Sequence, residues 1–259
     1  GKYAFFKCKA LTTISLPSVV STDWCVFQEC TTLASVDMPA LTTLGYQTFI
    51  DCIALTGLNL PELITIGDGV FSGCTALTSV DFPKVINVKS LGGCTALRIA
   101  NLPLAEKIEN YAFSGCTALT DISIPKVTQI GDNAFNGCTA LSSITVPKLS
   151  SIAQNAFNGC SRLANLHLGA TPPTANSNSF AGYPTPRFLQ LVNESGTPLT
   201  DPELTTARTA YKAANDGNTA DDLWFGWEVD KDLYETALDP AISDGSLTIN
   251  YQLCATGTK

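Results

Sequence analysis

Histidine is almost missing from this chain of 259 residues; the single one is His167. No G-x-S-x-G, no H-E-x-x-H and no glycine-rich phosphate loop occurs. The carboxylates of the repeated region described below are scattered singly. These absences remove the usual routes to hydrolysis, metal-assisted chemistry and phosphoryl transfer, so no catalytic residue, metal site or cofactor is expected. Cysteine is not scarce, yet no two stand at C-x-x-C spacing, which argues against zinc. No run of eighteen apolar residues is present, and so no membrane span is expected. A signal peptide is missing too. The chain starts at Gly1 inside a repeat, so further coils or another domain are expected ahead of it, and the missing leader says nothing of location. Charged residues make up only 15% of the chain, with a net charge of −8. Residues 184–259 hold twelve acids and five bases, whereas residues 1–183 hold eleven and ten. Neither part has a basic face, which argues against a nucleic-acid partner.

What the chain does have is a repeat. Asn110 to Pro147 reads as one phrase said almost twice: A-F-x-G-C-T-A-L-x-x-I-x-I-P, then a short apolar coda. Eight cysteines mark its register: Cys8, Cys30, Cys52, Cys74, Cys94, Cys116, Cys138 and Cys160. The steps between them are 22, 22, 22, 20, 22, 22 and 22 residues. A Phe stands three residues before each cysteine except at Leu91, and a Leu stands three residues after each. Pro17, Pro39, Pro61, Pro83, Pro103, Pro125 and Pro147 follow nine after, with Gly169 ending that series.

Each column has a physical reason. Ile122 and Ile124 alternate with polar residues, which is the strand period, with one face inward and one toward solvent. Pro125 has no N–H for a ladder and ends the strand. Val127 and Ile130 return to the same core from a second, shorter extended segment, and Gly131 is expected to allow a turn. Stacked coils then bury spines of Phe, Leu and Cys that no single repeat could bury alone. Strands are expected to centre on residues 13–16, 35–38, 57–60, 79–82, 99–102, 121–124, 143–146 and 165–168, all parallel neighbours. At about 4.8 Å per strand, eight coils make a rod of roughly 40 Å.

The pattern L-x-x-I-x-I-P…I-G-x-x-A-F-x-G-C resembles the leucine-rich repeats of the BspA-like family, found on surface proteins of host-associated anaerobic bacteria. The likeness covers about residues 2–183 and departs from commoner leucine-rich repeats in having no asparagine ladder after its strand. Leu168 to Thr174 (LGATPPT) with Asn178 to Phe180 resembles the final coil of such proteins, and Ala207 to Ala214 (ARTAYKAA) resembles a segment that often closes them. The resemblance implies a leucine-rich-repeat solenoid, a right-handed superhelix of short parallel strands. It also implies an extracellular or cell-surface location and a role in adhesion or binding, and it carries over no catalytic residue. Two units are expected: the solenoid at 1–183, and a small C-terminal cap containing a helix, with its tail, at 184–259.

The tail and the irregularities refine this. Pro186 to Val192 alternates and should add a last strand. Asp201, Pro202 and Glu203 suit a helix start, with Leu204, Ala207, Tyr211 and Ala214 on one face and Gly217 at the end. Trp224, Phe225 and Trp227 either cover the end of the core or stack on a sugar ring, and Leu247 to Leu253 alternates as a late strand. The short step from Cys74 to Cys94 loses two residues between Pro83 and Leu91. It is either a drifted coil that loses its second-strand turn or a kink that shapes a binding face. The column cysteines are expected to be free thiols. Neighbouring coils lie within disulfide range by distance, but their Cβ vectors run parallel. Cys25, in a turn, is expected to be the most reactive thiol, and too far from Cys254 to pair with it.

One outward column remains, seven residues after each cysteine: Ser15, Asp37, Asn59, Asp81, Asn101, Ser123, Thr145 and His167. It reads either as a solvated strand face or as a shallow polar groove for a glycan or an extended protein segment; it lacks exposed aromatics. His167 is expected to face solvent. The functional expectation is a cell-surface or secreted binding module that recognises a host or bacterial surface protein or glycan through the strand face. The alternative is a structural spacer or display rod supporting another domain, and no enzyme is expected.

Overall fold

The computed structural model describes residues 1–175, 178–180, 188–214, 223–224 and 227–228. The coils wind as a solenoid of parallel strands. First strands occupy Thr13–Ser15, Ser35–Asp37, Gly57–Asn59, Ser79–Asp81, Ile99–Asn101, Asp121–Ser123, Ser143–Val146 and Asn165–Leu168. All eight expected strands are present, six of them one residue shorter than expected, but they are not all paired neighbours: the ladder lapses between Gly57–Asn59 and Ser79–Asp81 and between Asp121–Ser123 and Ser143–Val146. Register follows the repeat: Ile14 faces Val36, Val80 faces Ala100, and Ile144 faces Leu166, all in parallel pairs. Shorter second strands form two parallel ladders, Thr43–Leu44 with Thr65–Ile66, and Asn87–Val88 through Gln129–Ile130 to Thr174–Ala175. No antiparallel hairpin joins consecutive repeats among the described residues.

Inside, every column does what its residue type suggests. The rings of Phe5, Phe27, Phe49 and Phe71 stack with centroids 5.0, 5.3 and 5.8 Å apart. Phe113, Phe135, Phe157 and Phe180 continue at 5.3, 5.2 and 5.6 Å. The column is broken at Leu91. There Phe82, which occupies a position filled by Leu, Met, Ile or Val in the other coils, stacks on Phe71 at 5.7 Å. One coil thus supplies its aromatic ring from a different position.

The cysteines do more than fill space. Each thiol from Cys30 to Cys160 donates to the carbonyl of the ring-column residue in the coil before it. Cys52 Sγ reaches Phe27 O at 3.1 Å, Cys116 Sγ reaches Leu91 O at 3.2 Å, and Cys160 Sγ reaches Phe135 O at 3.0 Å. The same carbonyls accept the backbone N–H of the cysteine in their own coil, as in Cys30 to Phe27 at 3.1 Å. Both lone pairs of a buried carbonyl are thereby satisfied.

Two tight positions recur on the turn edge. The residue before each cysteine has positive φ. It is Lys7, Glu29 or Asp51 in the first three coils and glycine from Gly73 to Gly159. A non-glycine residue there costs about 1–2 kcal/mol, so the later coils hold this turn with less strain. Gly131 is different: it opens the expected turn, its carbonyl accepting from Ala134 N at 3.3 Å, but its lack of a side chain serves another end. Its φ is not positive; a Cβ there would meet Asn110 Oδ1 at 2.4 Å and Asn110 N at 2.7 Å. The missing side chain allows two coils to approach.

The shortened coil loses the turn that follows its second strand but keeps the strand: Asn87–Val88 pairs in parallel with Lys107–Ile108. Neighbouring coils place four residues between second strand and ring column, Gly67 to Val70 and Glu109 to Ala112, where this coil has only Lys89 and Ser90. In regular coils the N–H five residues before the cysteine bonds to a carbonyl of the next coil, as in Gln47 to Asp68 at 2.9 Å and Tyr111 to Asp132 at 2.9 Å. Gly69 N has lost that carbonyl and donates to Ser90 Oγ at 2.8 Å instead. Ser90 in turn donates to Gly67 O at 2.9 Å, with its backbone at φ 71°.

The last regular strand is followed by Phe188–Leu191, which pairs in parallel with Asn165–Leu168, and by helix α1, Asp201–Ala214. Thr200 caps the helix. Glu203 Oε2 accepts from Thr200 N at 2.9 Å and from its hydroxyl at 2.6 Å. Tyr211 and Ala207 are buried against the end of the solenoid, and the Tyr211 hydroxyl donates to Gly169 O at 2.9 Å. Ala214 is exposed, so the buried stripe stops a turn earlier than expected. The side chains of Trp224, Phe225 and Trp227, the strand expected at Leu247 to Leu253, Gly217 and Cys254 lie outside the described residues.

The nine described cysteines are free. Burial pushes the Cys52 and Cys94 thiols up to about 12 and raises Cys74 and Cys116 well above the ordinary thiol range. Cys25, expected to be the most reactive thiol, is in fact buried: it is 3% exposed, with Sγ directed at Gln47 Oε1. Cys8, in the first coil, is half-buried. Mass-mapped alkylation of the native protein without reductant should therefore label Cys8 before any other described cysteine. Cys25 and Cys30 to Cys160 should react only after unfolding. Native labelling of Cys116, or its failure to react after unfolding, would contradict this packing.

Candidate functional site

The outward strand column lies where its spacing places it, but its members are occupied with each other. Asp37 accepts from Asn59 Nδ2 at 2.7 Å and from Ser15 Oγ at 2.8 Å. These bonds, that from Asn59 first, hold its carboxyl below the usual range. Asp81 accepts from Asn101 Nδ2 at 2.9 Å. Ser123 is exposed between these pairs and the last one. Thr145 Oγ1 and His167 Nδ1 stand 2.9 Å apart. The alternation of acids with amides thus becomes donor–acceptor pairing across parallel neighbours.

His167 is not the solvent-facing residue expected. It is half-buried, because Phe188–Leu191 adds a strand beside it, with His167 facing Gln190. The loop that follows also folds back: a Cβ on Gly196 would sit 3.5 Å from the Thr145 methyl. Burial lowers the His167 pKa.

The turn edge, opposite in character, carries exposed aromatics that the strand column lacks. Trp24 is 52% and Tyr46 44% exposed, with their rings 6.2 Å apart, and Lys2 Nζ lies 3.9 Å over the Trp24 ring. Tyr3 and Tyr111 are exposed at the same edge, 54% and 58%. All four occupy the two positions ahead of the small-residue–ring pair, where the remaining residues are Asp, Asn, Gln and Gly, with Lys2 and Cys25 in the first two coils. The departure from polar residues in those columns was the available signal.

The two-residue loss opens an indentation of about 680 Å³ on this edge. Asp68 and Gly69 form one wall, Glu109, Asn110 and Tyr111 the other, and Lys89, Ser90 and Gly92 line the recess between them. Lys89 Nζ pairs with Asp68 Oδ1 at 2.7 Å, and Lys107 Nζ pairs with Glu109 Oε2 at 2.9 Å. A second hollow, of about 610 Å³, lies between the last coil and α1, bordered by Lys148, Glu194 and Glu203. Among the described residues no cluster of His, Cys, Asp and Glu could hold a metal ion, and no helix is long and apolar enough to cross a membrane.

The family profile described as BspA type leucine rich repeat region matches the chain in six copies over residues 1–104 and 84–191. No curated protein matches. Among solved structures, the chain is similar to a leucine rich cell surface protein from Faecalibacterium prausnitzii A2-165. Identity there is 27% and the TM-score 0.56, over 61% of this chain and 47% of that one. It is also similar to a leucine-rich repeat protein from Eubacterium ventriosum, at 27% identity and TM-score 0.54, over 67% of this chain and 45% of that one. A leucine-rich repeat protein from Bacteroides ovatus shares the fold at 20% identity and TM-score 0.53, over 74% and 58%. The chain spans about half the length of these relatives.

His167 supplies a pH test. Its folded pKa lies below the ordinary value of about 6.5, so the unfolded chain takes up the proton first as pH falls. The melting temperature should therefore drop between about pH 7 and 5 in the wild type and less in His167→Gln. Equal drops in both proteins would place the pH dependence elsewhere.

Proposed function

The chain belongs to the BspA-type leucine-rich repeat family, and from that membership we propose that it is a cell-surface or secreted binding and adhesion module whose partner is a protein or a glycan. The family is one of bacterial surface proteins, and the Faecalibacterium prausnitzii relative is itself described as a cell surface protein. Leucine-rich repeat proteins are generally non-enzymatic scaffolds, which agrees with the missing catalytic groups.

One observation carries the reading. The outer strand face presents Ser15, Asp37 and Asn59 on one parallel ladder and Asp81 and Asn101 on the next, with the side chains of Asp37 and Asp81 fixed by their neighbours. Side chains already held in place lose little freedom when a partner docks, so a shallow polar face still gains affinity. The same pairing favours one competing reading. Groups that satisfy each other have less need of a ligand, and a rod that displays another domain needs no more than that.

Arrays of bacterial and host surface proteins and of glycans separate the two. The binding module should bind a definable subset, and Asn59→Lys with Asn101→Lys should weaken that binding at least tenfold without changing the melting temperature by more than a few degrees. Absence of specific binding would favour the spacer, and specific binding indifferent to both substitutions would move the site off the strand face.

A further inference from the structure

We propose that the indentation at the shortened coil is a saccharide subsite that takes one neutral pyranose ring of a larger glycan. This deepens the reading of the chain as a binding module, and it does not depend on the strand face.

The recess is built into the coil. Removing the turn between Val88 and Leu91 would leave Gly69 N without an acceptor, and the Ser90 hydroxyl takes that role at 2.8 Å while the ladder resumes at Leu91 N to Ala112 O, 2.9 Å. The coils on either side keep their full turns and stand as two walls, and Gly69 and Gly92 add no side chain to the space between them. A volume of about 680 Å³ falls within the range of small-molecule sites, ~300–1,000 Å³.

The lining selects the ligand class. Each carboxylate commits one oxygen to a lysine, Asp68 Oδ1 to Lys89 and Glu109 Oε2 to Lys107, which leaves the other oxygen as a hydroxyl acceptor. Asn110 spends Oδ1 on Asp132 N at 2.9 Å, which leaves its Nδ2 as a donor. Ser72 and Ser114 add hydroxyls that both donate and accept. Tyr111 stands at the rim, 58% exposed, and offers a flat apolar face for the C–H face of a sugar ring. The carboxylates are balanced by lysines, so the site has no surplus positive charge for an anionic sugar. No aliphatic side chain lines it to hold a lipid or a hydrophobic side chain either.

Tyr111 has φ 58°, and the same column holds Asn133 and Asn155 in the following coils at 53° and 55°. Tyr111→Asn therefore removes the ring and installs the residue that the backbone already accepts there. Saturation-transfer NMR against a panel of free neutral and anionic oligosaccharides should show transfer to one or more neutral sugars. Tyr111→Asn should weaken that binding at least tenfold with the melting temperature unchanged, while Lys126→Ala, at an exposed position outside both the recess and the outward strand column, leaves it intact. No transfer to any neutral sugar, transfer to anionic sugars alone, or binding indifferent to Tyr111→Asn would overturn the proposal. Sugar binding lost in Asp81→Asn and kept in Tyr111→Asn would overturn it in favour of the strand face.

Discussion

Backbone ladders between coils allow the chain one freedom fewer than an ordinary sheet: every turn must return to the same place. On the turn edge the N–H of Phe27 bonds to Thr48 O and that of Phe113 to Ala134 O, each reaching the coil after it, while the thiols of Cys52 and Cys138 reach back to the coil before. Ring stacking adds a third contact in the same direction. A coil one residue out of register would lose all three together and turn its strand's apolar face outward. That coupling is why the 22-residue step is kept six times out of seven, and why the exception needs repair at two points.

Both repairs are specific. Ser90 supplies the acceptor that the missing turn carried, and Phe82 supplies a ring against Phe71 in the coil where Leu91 has none. A turn lost by drift alone would leave an unpaired N–H and a gap in the ring column. The indentation on the turn edge, with Tyr111 at its rim, is the surface consequence of a shortening that the core has accommodated.

Columns of one residue type are legible in a single sequence, because a buried position in a solenoid repeats its demand at every coil. Strand positions follow from Ile122 and Ile124 alternating with polar neighbours, and the free thiols follow from parallel Cβ vectors. Donation from those thiols to Phe carbonyls is not legible, since Cys is read as a small hydrophobe until the carbonyl's position is known. Gly131 shows the same limit: glycine signals a turn or a close approach, and only the neighbouring Asn110 decides which. His167 looks like one more outward residue, and a strand from the tail half-buries it. The capping pair of Thr200 and Glu203 is legible as T-x-x-E, beginning one residue ahead of the helix start that Asp201 and Pro202 suggest. At the candidate site, the outward column could be placed residue by residue, but its pairing and the exposed aromatics of the opposite edge depend on which coils lie beside which.

The shortened coil is either repaired by Ser90 or merely tolerated. Ser90→Ala, measured beside Ser123→Ala on the exposed strand face, decides this through chemical denaturation and hydrogen exchange at the Gly69 amide. Repair predicts that Ser90→Ala costs about 1 kcal/mol, at the low end for a half-buried donor left unpaired, and that exchange at Gly69 quickens, while Ser123→Ala stays within about 0.5 kcal/mol of wild type. A Ser90→Ala protein as stable as wild type, with the Gly69 amide still protected, would show that the hydroxyl bridges nothing the coil needs.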